Sequence, residues 1–122
     1  MLSIGSLMSD FKDLLTGYQR VPCLPELVDG NPGGQPPTAP GVYVYAGDDC
    51  TGVCHRLDGY CADLEQAVGY RVRSAWVVNR GDFWDTKSPS ILAKPTWRSR
   101  RGPEKASFLP GDRPRAADKL PN

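Results

Sequence analysis

Between Ser6 and Thr16 the apolar residues Leu7, Met8, Phe11, Leu14 and Leu15 recur at helical spacing and form a single stripe. With Ser6 able to cap the start and Gly17 the end, this predicts a short amphipathic helix within residues 1–20. Three turns are marginal alone, so such a helix needs a surface to pack on. Val42-Tyr-Val-Tyr-Ala46, β-branched and aromatic between Gly41 and Gly47, reads as a strand. Asp48, Asp49 and Gly52 follow as a turn, after which Leu57, Cys61, Leu64 and Val68 return to helical spacing, with Asp58 as candidate cap and Gly69 as stop. From Tyr70 to Val78 the pattern alternates, with Tyr70, Val72, Trp76 and Val78 on one face and Arg71 and Arg73 on the other. Asn79-Arg-Gly-Asp82 reads as a turn, and Phe83-Trp84 as the start of a returning hairpin strand.

The expected fold is therefore α+β: a small core of two short helices and a few antiparallel strands over residues 42–88, with long Pro/Gly-rich extended arms. Residues 21–41 form the first arm or loop, since six prolines and four glycines between positions 22 and 41 deny both helix and regular strand pairing. Residues 89–122 form the second, an extended basic tail interrupted by Pro89, Pro95, Pro103, Pro110, Pro114 and Pro121. Gly and Pro together fill 25 of the 122 positions, which reinforces the expectation of much irregular chain. A chain of this length holds one domain with a modest core.

Charge adds a polarity that the pattern does not show. Residues 1–69 carry a net charge of −6 and residues 70–122 a net charge of +7, although the whole chain is only +1. Such asymmetry steers a chain toward a charged partner or toward a copy of itself. No apolar run reaches the roughly 20 residues of a membrane helix, and Met1-Leu-Ser-Ile-Gly-Ser6 lacks the features of a secretory leader. The chain is expected to be cytoplasmic when made, with no membrane partner.

Cys23, Cys50, Cys54 and Cys61, with His55, contain enough ligand types for tetrahedral zinc. Three of these cysteines crowd into twelve residues, however, and lack the paired turns of a zinc knuckle. They are expected to be reduced, buried and apolar in character, with no metal and no cofactor. His55 is the only histidine and the natural general base, but adjacency to Cys54 does not itself make a dyad. No catalytic residue is assigned.

Gly41-Val-Tyr43 and Tyr45-Ala-Gly47, followed by Arg56 and Tyr60, resemble a fragment of the GIY-YIG nuclease family. That resemblance implies roles for a Tyr and an Arg in phosphodiester cleavage, assisted by a metal-binding Glu. Here only Val44 separates the two triplets, which the family carries on neighbouring strands, and no following helix offers the Glu. Arg80-Gly81-Asp82 is the integrin-binding tripeptide, read here as turn chemistry. Lys94-Pro-Thr-Trp-Arg-Ser-Arg-Arg101 interleaves bases with an aromatic, so Trp97, Arg98, Arg100 and Arg101 are the candidate partner-binding residues.

Taken together these features point to a non-enzymatic component of a larger assembly, such as a virus or phage particle, whose arms order on neighbouring protein subunits. The alternative is a small nucleic-acid-processing or binding protein that uses the basic tail.

Overall fold

The computed structural model describes residues 23–29, 35–86, 93–100 and 103–120. The amphipathic stretch expected at residues 6–16, and Arg101 among the candidate binding residues, lie outside the described residues. Within them the chain forms β1 (Glu26–Val28), β2 (Val42–Tyr45), β3 (Cys54–Leu57), α1 (Leu64–Val68), β4 (Ser74–Val77), β5 (Arg80–Trp84), β6 (Trp97–Ser99), β7 (Glu104–Ser107) and β8 (Ala116–Leu120).

These strands make two antiparallel sheets, one in the order β1-β3-β2-β4-β7 and the other β6-β5-β8. The architecture is mostly β with one five-residue helix among the described residues, which corrects the expected α+β core of two helices. The apolar positions read as a helix from Leu57 to Val68 do all point inward, but by three different routes. Leu57 ends β3, Cys61 bridges to Ala117 beside β8, and only Leu64–Val68 is helical. Asp63, not Asp58, caps that helix by accepting from the Gln66 amide, and Gly69 closes it at φ 85°. Asp58 instead pairs with Lys119 at 3.0 Å.

Of the two expected arms, the tail is corrected too. The stretch 97–120 supplies three strands, β7 pairing with β4 and β6 and β8 flanking β5. Its scattered apolar residues suffice because most of them land where a sheet needs them, Leu109 remaining exposed. Ala106, Ala116 and Ala117 are buried, and Trp97 and Phe108 pack around Phe83 with ring centroids 5.5 and 5.2 Å apart.

The expected hairpin between Val78 and Phe83 is replaced by a change of sheet. Strands β4 and β5 follow one another across Val78-Asn79 but belong to different sheets, with Arg80, Gly81 and Asp82 inside β5 and not in a turn. Gly81 makes this crossing possible, since a Cβ there would stand 2.9 Å from Val42 Cγ2 and 3.2 Å from Val77 Cγ1. The core between the sheets holds Val42, Val44, Leu57, Ala75 and Val77 from one side and Phe83 and Ala117 from the other, with Leu64 and Val72 closing it.

The larger sheet is buried on its other face as well. Tyr43, Tyr45, Cys50 and Cys54 form a second apolar cluster with Val28, Trp76 and Val78. The strand expected from Tyr70 to Val78 is confined to Ser74–Val77, and the single face expected for its apolar residues is corrected: Trp76 and Val78 serve this second cluster, while Tyr70 and Val72 join the first. The turn 48–52 folds over the cluster: Asp49 and Cys50 adopt φ 54° and 58°, the Cys50 amide donates to Ser74 Oγ, and Ser74 Oγ donates to Gly47 O. Lys105 reaches Asp49 at 2.8 Å and lies over the Trp76 ring.

Candidate functional site

Three places concentrate the chemistry that the sequence singled out, and a fourth emerges from the fold. At the first, Tyr43 of β2 and Arg56 of β3 are direct cross-strand partners. The two nuclease-like residues are thus brought together, yet both hold the backbone that leads into β2. The Tyr43 hydroxyl donates to Ala39 O at 2.8 Å, while Arg56 Nε and Nη2 both donate to Pro40 O. Gly41, at φ 152°, leaves the room for this, since a Cβ would stand 2.9 Å from Arg56 Nε. Burial pushes the Tyr43 hydroxyl above its ordinary pKa in spite of Arg56. Tyr45 is fully buried in the second cluster and Tyr60 belongs to the segment leading to Cys61.

The cysteines divide into two pairs. Cys23 and Cys61 are joined as a disulfide, with Cα atoms 4.9 Å apart, which corrects the expectation of four reduced thiols. The Cys23 amide also donates to Tyr60 O. Cys50 and Cys54 are free and buried in the second cluster. Burial raises both thiols, Cys50 to about 11, so they are poor nucleophiles and act as small apolar groups. Among the described residues no group of three metal-ligating side chains comes together. His55 lies across the sheet from Cys54, its Nδ1 2.9 Å from the Tyr70 hydroxyl, which itself donates to Val44 O. Burial holds the imidazole pKa below its usual value.

At the third place, the basic segment, most of the expected binding groups are used within the fold. Trp97 packs on Phe83 and helps line a cleft of about 330 Å³ with Phe108, Thr96 and Arg115. Arg98 grips the Asp82 carboxylate through Nε and Nη2 at 2.6 and 2.8 Å. That carboxylate is 2% exposed while the Arg98 side chain is 41% exposed, so the pair ties β5 to β6 from the surface inward, and Asp82 is not displayed as part of an adhesive tripeptide. Arg100 is exposed.

The fourth place was not singled out by the sequence. Among the described residues strand β1 is the outermost strand of the larger sheet, paired with β3 in the register Glu26↔Arg56, Leu27↔His55, Val28↔Cys54. Leu24, just before this strand, and Leu27, within it, are 83% and 69% exposed, and Val53, 51% exposed, immediately precedes β3. A broad groove of about 490 Å³ lies beside the disulfide, lined by Tyr60, Ala62, Gln66 and Ala67 with both half-cystines. The only sequence signal was the short run Leu27-Val28 inside a proline-rich stretch, too brief to register as a strand.

No helix among the described residues is long and apolar enough to cross a membrane. Compared with protein families, with curated proteins and with solved structures, the chain matches none.

Proposed function

We propose that this chain is a non-enzymatic interaction subunit that docks onto other protein subunits of a larger assembly through the β1 edge of its five-stranded sheet. An assembly of repeating subunits, such as a virus or phage particle, is the setting this reading has in view. The observation that carries it is the pair of exposed apolar side chains Leu24 and Leu27, just before and within a strand that is outermost among the described residues. An outermost strand offers backbone N–H and C=O groups for pairing, and apolar side chains beside it supply the affinity that backbone bonds alone lack. An exposed leucine alone is ordinary; what gives Leu27 weight is its place on an outermost strand, whose backbone groups are open to pairing.

The partner this edge fits is an extended segment of a neighbouring subunit, apolar where it meets Leu27. The basic segment contributes less than its composition suggested, because Arg98 is committed to Asp82 and Trp97 to Phe83.

The test is a Leu24→Lys/Leu27→Lys double variant expressed in place of the wild-type chain and followed by sedimentation of the native extract. Wild-type chain should travel with a large complex and the double variant should remain in the light fractions, with thermal melting of the two purified proteins alike. Incorporation of the double variant at the wild-type level, or a wild-type chain found only as free monomer, would overturn the proposal.

A further inference from the structure

The docking edge is attached to the molecule by few contacts. Strand β1 has three residues, no partner strand on its outer side among the described residues, and one side chain, Val28, packed into a cluster. Its charged contact is loose, Glu26 standing 3.8 Å from Arg56 and largely exposed. A strand this short and this exposed pairs weakly by itself. What ties it down is the bond from Cys23, three residues upstream, to Cys61, together with the Cys23 amide on Tyr60 O.

We infer that the Cys23–Cys61 disulfide is a redox latch that presents the docking edge when oxidised and withdraws it when reduced. This rests on the reading of β1 as the docking surface. The groove beside the disulfide gives a dithiol reductant a way in, and Cys23 is the more exposed of the two half-cystines. A reductant thiolate attacks the Cys23 sulfur, and Cys61 leaves as a thiolate that takes a proton from water. The second reductant thiol then resolves the mixed disulfide, freeing Cys23 as a thiol and leaving the reductant as a disulfide. Two electrons pass to the protein. With the bond gone, segment 23–29 keeps, among the described residues, the short ladder to β3, the Cys23 amide bond to Tyr60 O, the loose Glu26–Arg56 pair and the packing of Val28, and local opening of that segment precedes any loss of the sheets.

Release has an internal reporter. Val28 is the register partner of buried Cys54 and covers the flank of the second cluster next to β1. Cys50 lies in the same cluster but is held from the other flank, its amide on Ser74 of β4. Departure of β1 therefore uncovers Cys54 and leaves Cys50 covered.

The experiment is maleimide labelling of the full chain with and without a phosphine reductant, resolved by peptide mass spectrometry, with a Cys23→Ser/Cys61→Ser variant run alongside. Reduction should raise the Cys54 labelling rate by roughly tenfold or more with Cys50 unchanged. The double variant should label at the raised rate without reductant and fail to join the native complex. Unchanged Cys54 labelling overturns the latch, and so does equal acceleration at Cys50, which would mean global unfolding. Neither result touches the docking edge itself, which stands or falls on the lysine variant.

Discussion

Replacing Arg98 by Ala strands the Asp82 carboxylate, 2% exposed, inside the smaller sheet with its bidentate partner removed. An uncompensated buried charge is far costlier than the same pair left intact or replaced together. Arg98→Ala should therefore lower stability by about 3 kcal/mol, and adding Asp82→Asn in the same chain should recover a good part of that loss. Urea unfolding of the two single variants and the double variant measures the coupling directly. Additive losses would show that the pair contributes nothing as a unit. Nothing in the sequence marks this pair, because Arg80-Gly81-Asp82 looks like a turn and Arg98 looks like one more base in a basic tail. Only the register of β5 against β6, which sets Asp82 opposite Arg98, turns two surface-type residues into a strut.

At the level of elements, Gly81 decides whether the two sheets can meet. An added Cβ would stand within 2.9 Å of Val42 and 3.3 Å of the Asp118 carbonyl, where neither a core side chain nor a paired strand gives way easily. Gly81→Ala should cost about 1–3 kcal/mol in chemical denaturation, whereas Gly111→Ala, in open space, should cost little. Equal effects at the two positions would show that backbone entropy and not sheet contact sets the penalty. The strand at Val42–Tyr45 was legible because four β-branched and aromatic residues stand together between glycines, and the strand at Ser74–Val77 because alternation survived. The helix through Leu57 was misread because inward positions at spacings of three and four arise equally from a strand end, a bridge and a single helical turn. The β1 edge was missed for a related reason: three residues hold too little pattern, and their pairing is set by distant Arg56, His55 and Cys54. Likewise, an even number of cysteines says nothing of which ones the fold will join.

Over the whole molecule, the charge division noted in the sequence is folded into shared sheets. Acidic-half strands β1, β2 and β3 share a sheet with basic-half β4 and β7, and cross-half pairs such as Glu65–Arg113, Asp58–Lys119 and Asp49–Lys105 link the two. The polarity thus serves partly to bind the chain to itself. It also follows that residues beyond Ser88 are not an appendage. A chain ending at position 88 would lack β6, β7 and β8, leaving β5 without either neighbour and β4 with one open side. Such a truncated chain should show no cooperative thermal transition by circular dichroism. A truncation that melts as sharply as the full chain would contradict the two-sheet core. The placement of β8 bears, finally, on how the protein is born. Its residues 116–120 complete the smaller sheet, and Ala117 exchanges backbone hydrogen bonds with Cys61. Translation delivers the chain from its N-terminus, so β1 to β5 reach the outside of the ribosome well before the strands that will cover them. Until β8 has cleared the exit tunnel, β5 lacks one of its two neighbours, and Phe83 and the inner valines miss the cover of Ala117 while the rest of the chain is already outside.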